Sequence, residues 1–411
     1  MSSIFTSLGA SLLLIISNVA IAENFSPEKF VPEKASTEIL PENTGQEWFW
    51  SYGFRMPSAA DGQAFLFDEH GKRLGQLSTG FWFNNLINAK SRNEIITAET
   101  YFSRGTRGER TDIVSVYDAR SLTHKKEIII PPKRMNGVKN NGLFALTDDE
   151  RFALVVNYTP AQSISIVDLD RGEFVEEVET PGCSVIYGAG KRNFYAICGN
   201  GSFMQIKLAE DGTVETRKRS EKLFNAVDDF LSIAASRIGN TWYFVSRQYN
   251  VYAIRMDGDD IELENKWSLV TDEERADNWT IAGLDHTAAH ETSNQLFVLM
   301  HQGEAHQFEE PGTEVWVFDA STGEKQQQIV LEEMSLGMKV SQTEAPRLYT
   351  LNIHIPMPAL FAAWIFITEG ESEIMKSVRQ RMSAYDATNG EHLFFSDLIP
   401  TGGMVMSVQP W

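Results

Sequence analysis

SISIVD, residues 163–168, is an apolar strand that stops on an aspartate. The same phrase occurs as AFLFD at 64–68, VSVYD at 114–118, VWVFD at 315–319 and MSAYD at 382–386. Two degenerate copies lie between them, MQIKL around Lys207 and VYAIR ending at Arg255. A short polar turn and a second strand follow each copy. The marker positions Asp68, Asp118, Asp168, Lys207, Arg255, Asp319 and Asp386 are separated by 50, 50, 39, 48, 64 and 67 residues, by subtraction of their numbers. Intervals of about 40–50 residues fit one four-stranded propeller blade. One blade cannot bury both of its faces alone, whereas radial stacking buries them and leaves only short edges. The aspartate suits a tight turn because its carboxylate accepts hydrogen bonds from the backbone two residues on. Seven copies predict an all-β, seven-bladed β-propeller over residues 48–411. A pair of β-sandwiches with chance repetition is the competing architecture. The two long intervals predict insertions in roughly 273–311 and 352–381.

Outside the repeat, residues 1–22 carry no charged side chain, and Leu8 to Ile16 is a short apolar run. The Ala20-Ile21-Ala22 pattern then reads as a signal-peptidase site, so export is expected. An uncut membrane anchor is the alternative, although the run is short for a span of about 20 residues. Residues 23–47 are rich in Pro and Glu and predict an extended N-terminal arm, either mobile or lying along a partner subunit.

Composition narrows the function. The 411 residues include 36 Lys+Arg against 56 Asp+Glu, a net charge of -20. Such a surface repels phosphate backbones and argues against nucleic acid. It would modestly attract protonated amines. Only two cysteines are present, too few for a multi-disulfide scaffold or a Cys₄ zinc site. Cys183 and Cys198 bracket what reads as a hairpin, and adjacent antiparallel strands would bring them together as a disulfide. A redox pair is the weaker reading without a C-x-x-C spacing.

Chemistry-bearing motifs are scarce. His286 and His290 lack the Glu of a zinc-protease motif and sit in a strand-like context, so they read as structural. His301 and His306 are too few for a metal site. There is no G-x-S-x-G elbow and no P-loop, and the Gly188–Gly190 and Gly199–Gly201 pairs read as turns. The expectation is no metal and no catalytic residue in this chain. The segment from Ser103 to Asp112 gathers Arg104, Arg107 and Arg110. It reads as a solvated loop or as a docking loop, since guanidinium forks suit interfaces.

Three strings carry a resemblance: YFSRGTRGERTDIVSVYD at 101–118, LVTDEERADNWTIAG at 269–283 and EVWVFDASTGEK at 314–325. Together they resemble the heavy subunit of the quinoprotein amine dehydrogenases, the methylamine and aromatic amine dehydrogenases, over about residues 50–345. The resemblance implies a periplasmic propeller in an assembly of two heavy and two light subunits. The light subunit would carry tryptophan tryptophylquinone, built from two tryptophans of that other chain. The reaction would convert a primary amine to an aldehyde and ammonia, with electrons passing to a blue-copper protein. The cysteine pair falls where the family has an intrachain disulfide. One residue role carries over. A family G-F-L-P motif sets a phenylalanine at the substrate channel, and Gly80-Phe81-Trp82-Phe83 occupies that place here. Phe81, with Trp82 beside it, is therefore the expected channel lining. Replacement of Leu-Pro by Trp82-Phe83 puts the channel shape in doubt. The stretch 350–382 departs from the family as an insertion. Two other functions compete: an exported stand-alone binding propeller without a light chain, and a single-chain lactonase with a metal in the central tunnel.

Overall fold

A computed structural model of the chain describes residues 38–55, 60–304, 309–357, 368, 378–397 and 403–411. The signal segment 1–22, most of the arm, His306 and the greater part of the 350–382 insertion lie outside the described residues. The fold is an all-β propeller, built from antiparallel sheets that run from an inner strand outward.

Every marker copy falls on the third strand of four. SISIVD, for example, is the strand Ser163–Asp168, flanked by Phe152–Asn157 on one side and Glu173–Glu179 on the other. Five sheets are separate four-stranded blades. The expectation of seven separate blades is corrected here. The remaining eight strands, which hold the copies at Asp319 and Asp386, form one continuous sheet. The cause is the strand Lys325–Val340, whose 16 residues do two jobs. Its first half pairs outward with Gly312–Asp319, and its second half pairs with Arg347–His354.

The ring closes through the C-terminus. Gly403–Pro410 becomes the innermost strand of the first sheet by pairing with Phe49–Arg55. Trp48 and Trp50 pack against Trp411 at centroid distances of 5.4 and 6.1 Å, which fastens the seam. Cores form between neighbouring sheets rather than within one. Ile164 and Ile166 of one sheet meet Phe194 and Ile206 of the next. The described part of the arm lies on its own chain: the Leu40 amide donates to Arg120 O at 2.9 Å. Glu47 accepts from Ser341 Oγ at 3.0 Å and from the Thr343 hydroxyl.

Antiparallel succession gives the molecule two distinct ends. Connections after the first and third strands of a sheet emerge at one end. Those after the second and fourth emerge at the other. The marker aspartates all sit at the first end. Asp118 Oδ1 accepts the amides of Arg120 and Ser121 at 3.0 and 2.8 Å, and Asp319 Oδ1 accepts those of Ser321 and Thr322 at 3.0 and 2.8 Å. Asp68, Asp168 and Asp386 repeat the arrangement. The turn chemistry expected of the repeat is present at all five.

The opposite end holds long connections, among them the Gly80–Asn84 loop and the arginine segment. The helix Asp272–Ala276 lies there, with a Thr271/Glu274 capping box. Among the described residues, Trp82, Val138, Tyr158, Val227, Phe230 and Leu284 are exposed large apolar side chains in connections at this end. Among the described residues, no exposed large apolar side chain falls in a strand connection at the aspartate end.

Candidate functional site: an aromatic loop held by a buried arginine

Gly80 leads from the strand Arg73–Thr79 into the loop that carries Phe81. A Cβ at Gly80 would stand 2.4 Å from Thr100 O, so only glycine lets the two backbones approach this closely. That approach allows the Phe81 amide to donate to Thr100 O at 2.6 Å. The half-buried Phe81 ring meets Phe102 and Trp82 edge-on, at 5.2 and 5.6 Å. Trp82 has a left-handed backbone, φ 61°, which is costly for so bulky a residue. Its ring is 39 % exposed and stacks on Phe83 at 5.7 Å. Phe83 in turn meets Phe54 of the first sheet at 5.4 Å.

What holds this strained loop is Arg134, which is 2 % exposed. Its guanidinium donates from Nη1 to Phe83 O, from Nη2 to Asn84 Oδ1 and from Nε to Thr100 Oγ1, each at 3.1 Å. Asp112, fully buried, accepts the Arg134 amide at 2.8 Å and Thr100 Oγ1 at 2.9 Å. Arg110 grips the same carboxylate with two bonds of 2.8 Å and donates to Arg134 O at 2.6 Å. Burial pushes the Arg134 guanidinium down to about 10, against the pull of Asp112. It therefore stays charged near neutral pH. Glu99 is also fully buried beside this network and is hydrogen-bonded by Tyr101 at 2.5 Å, Tyr117 at 3.1 Å and Thr97. Burial raises its carboxyl above the usual value despite those hydroxyls.

The arginines of the docking segment separate into two kinds. Arg104 and Arg107 are exposed, whereas Arg110 is committed to Asp112. Cys183 and Cys198 are directly opposed across adjacent strands and form a disulfide. His286 is buried, with Nδ1 3.3 Å from Gly283 O, and burial lowers its imidazole to about 4. His290 bonds Ser293 and Thr343 O at 2.8 and 3.0 Å. His301 is buried in the strand Gln295–Gln302. Among the described residues no group of three or more His, Cys, Asp or Glu could hold a metal. No helix among them is long and apolar enough to cross a membrane.

Sequence reasoning missed Arg134, Asp112 and Glu99 as a unit. It also missed a charged cluster on the propeller axis. There Asp285 receives the Lys139 ammonium and, at 3.4 Å each, Asn141 Nδ2 and Ser407 Oγ, with Lys339 Nζ 4.0 Å away. A small cleft of about 10 Å³, room for one water, separates the Trp82–Phe83 pair from Tyr52 and Lys139 of this cluster.

Solved structures share the fold of this chain. A protein of unknown function from Desulfotomaculum acetoxidans matches with a TM-score of 0.51 at 10% identity, over 87% of this chain and 98% of that one. A dihydro-heme d1 dehydrogenase matches with a TM-score of 0.52 at 14% identity, over 91% of this chain and 77% of that one. At such identity the likeness concerns the fold alone. Sequence comparison is more specific. The model of the methylamine dehydrogenase heavy chain family matches residues 57–379, and the chain belongs to that family. The methylamine dehydrogenase heavy chain of Methylobacillus flagellatus is 27% identical over 68% of this chain and 70% of its own. That of Paracoccus versutus is 26% identical over 85% of this chain and 76% of its own.

Proposed function

We propose that this chain is the heavy subunit of a periplasmic amine dehydrogenase that oxidises primary amines to aldehyde and ammonia. In this reading it is exported by its cleaved 1–22 segment and assembles as two heavy and two light subunits. The light subunit carries tryptophan tryptophylquinone, which takes up the electrons of the amine. A blue-copper protein receives them afterwards. This chain contributes no catalytic residue and binds no cofactor by itself. Its two cysteines, already joined to each other, are in keeping with a cofactor housed elsewhere.

The observation that carries the proposal is the concentration of features at one end of a family member's propeller. Six exposed apolar side chains in connections, the exposed arginines Arg104 and Arg107 and the aromatic loop all lie there, whereas among the described residues the strand connections of the aspartate end expose no large apolar side chain. An apolar surface with arginine at its margin is what a stable partner covers. Phe81 and Trp82 then line the approach of the amine. Their rings exclude water and sort amines by shape, while Arg134 fixes the loop that presents them.

Two measurements test this reading. Purification of the chain from its native host should bring down a small, cysteine-rich chain with quinone absorbance. Recovery of a lone monomer would instead favour a stand-alone binding propeller. In the assembled enzyme, Phe81→Ala should shift the ratio of kcat/KM for a bulky against a small primary amine by about tenfold. An unchanged ratio would remove Phe81 from the channel.

A further inference from the structure

The propeller axis contains a cavity of about 400 Å³, large enough for a small organic molecule. Inner strands of every sheet contribute to its wall. One side is apolar, with Ile186, Tyr187 and Trp242 among its residues, and another is polar, with Asn85, Asn140 and Lys339. The mechanism proposed above makes no use of this space.

Four charged side chains line the cavity and a fifth stands just behind its wall. Arg237 and Asp148 face each other in a two-bond pair, Nη1 to Oδ1 at 2.8 Å and Nη2 to Oδ2 at 2.9 Å, and so cancel. Asp285 is neutralised by Lys139, whose side chain is 6% exposed. The Asp285 carboxylate is also already served by Asn141 on one oxygen and by Ser407 on the other. That leaves Lys339. Its only ion pair among the described residues is the 4.0 Å approach to Asp285, too long for a hydrogen bond, and it lines the cavity. Two ammoniums therefore converge on one carboxylate, and the surplus positive charge belongs to the one that faces the empty space.

The cluster is a built arrangement rather than a chance of side-chain placement. Asp285 is brought to Lys339 by backbone pairing: Met338 N donates to Asp285 O at 3.0 Å, and Leu284 N to Leu336 O at 2.9 Å. Gly337 permits this, since a Cβ there would lie 2.9 Å from Asp285 Cβ. A cation kept at the axis with too few partners costs free energy unless an anion joins it. In a chain of net charge -20 the local excess of positive charge is not an average property of the surface.

We infer that the axial cavity is a binding site for a small organic carboxylate, its anionic group on the Lys339 ammonium and its apolar body against the Tyr187–Trp242 wall. Asn85 and Asn140 also line the cavity, and directional polar groups of this kind favour a carboxylate over a bare halide.

Benzoate is the probe. Titrated into the protein as purified from its host, it should raise the melting temperature and perturb tryptophan fluorescence through Trp242. Benzyl alcohol and benzylamine, of the same shape without the negative charge, should bind at least about tenfold more weakly. Lys339→Met should weaken benzoate by about tenfold or more, and Lys339→Arg should restore most of the affinity. The inference is overturned if the neutral or cationic analogue binds as well as benzoate. It is equally overturned if Lys339→Met leaves benzoate affinity unchanged, or if benzoate shows no saturable binding up to ~10 mM. The comparison of the three probes uses the unmodified protein, so it decides even if Lys339→Met fails to fold. It also needs no amine oxidation, so it stands apart from a failure of the enzymatic reading.

Discussion

At one end of this propeller five turns use the same device, an aspartate that gathers the next amides. At the other end no two connections are alike. The difference lies in how far each end reaches along the chain. Asp319 is satisfied by residues two and three positions on. Arg134 is satisfied by Asn84 and Phe83, 50 and 51 positions away. The marker aspartates are local solutions, each satisfied within its own turn, although their end also carries pairs between blades such as Arg92 with Asp170, 78 positions away. The loop end is a network whose members were brought together by the fold. Evolution of a binding surface is easier on the second kind, because its loops can change length while the repeated turns keep the ring closed.

The largest expected effect comes from breaking the network. Arg134→Met removes three hydrogen bonds of one buried guanidinium and leaves Phe83 O, Asn84 Oδ1 and Thr100 Oγ1 short of a donor. Stability should fall by about 4 kcal/mol, since each orphaned buried group costs about 1–3 kcal/mol and some will find water. Urea unfolding measures this. A loss below about 1 kcal/mol would mean that the loop holds itself and that the contrast between the ends is overstated.

The disulfide is the next test. Cys183 opens an inner strand and Cys198 closes its neighbour, so the bond staples the loop end of that sheet. It spans a sequence separation of 15, for which the chain-entropy account gives about 3 kcal/mol. Cys183→Ala with Cys198→Ala should lower stability by that amount in urea. An equal loss on reducing the wild-type protein would confirm that the bond, and not the packing of the sulfurs, is responsible.

How much of this was readable in advance follows from the same contrast. The propeller was visible because AFLFD, VSVYD and SISIVD repeat a strand and turn that need only their own neighbours. The disulfide was visible because a hairpin is local. The blade count failed at Lys325–Val340, where nothing in KQQQIVLEEMSLGMKV marks the middle of the strand as a boundary between two sheets. Phe81 and Trp82 were put forward through resemblance, but Arg134 was not. Its role depends on Asn84, Thr100 and Asp112 from other strands, and a single arginine after two prolines carries no local signal. Lys139 and Asp285 are 146 residues apart, so their meeting on the axis was beyond any spacing argument. The run Lys139-Asn140-Asn141 was the one hint, three polar residues where an inner strand was about to begin.

A smaller effect is expected at a single turn. Asp319→Ala removes an acceptor for the Ser321 and Thr322 amides and should cost about 1 kcal/mol, as loss of a helix N-cap does. The ring should remain closed, because the other turns do not depend on it. A loss approaching that of Arg134→Met would show that the turns act together, and the proposed independence of the aspartate turns would fall.

The smallest effect is also the one that separates the two ends most directly, through the sign of their response to pH. Asp319 and Asp118 are held below the usual 3.8 by backbone amides, from Thr322 and from Ser121 respectively. A depressed carboxyl stabilises the fold above its unfolded value, and that contribution is lost as pH falls below it. Glu99 behaves oppositely, because burial raises it above 4.5. The folded state then holds its proton more tightly than the unfolded chain, and its unfavourable charge is felt only as pH rises beyond 4.5. Glu99→Gln should therefore gain on the wild type as pH is raised from about 5 to 8. Asp319→Asn, which keeps an acceptor but no charge, should lose to the wild type near neutrality and close the gap below about pH 3. Urea midpoints of both variants and the wild type across that range give the two slopes. Slopes of the same sign would mean that Glu99 is ionised and compensated in the fold, with Arg134 serving its charge as well as the aromatic loop.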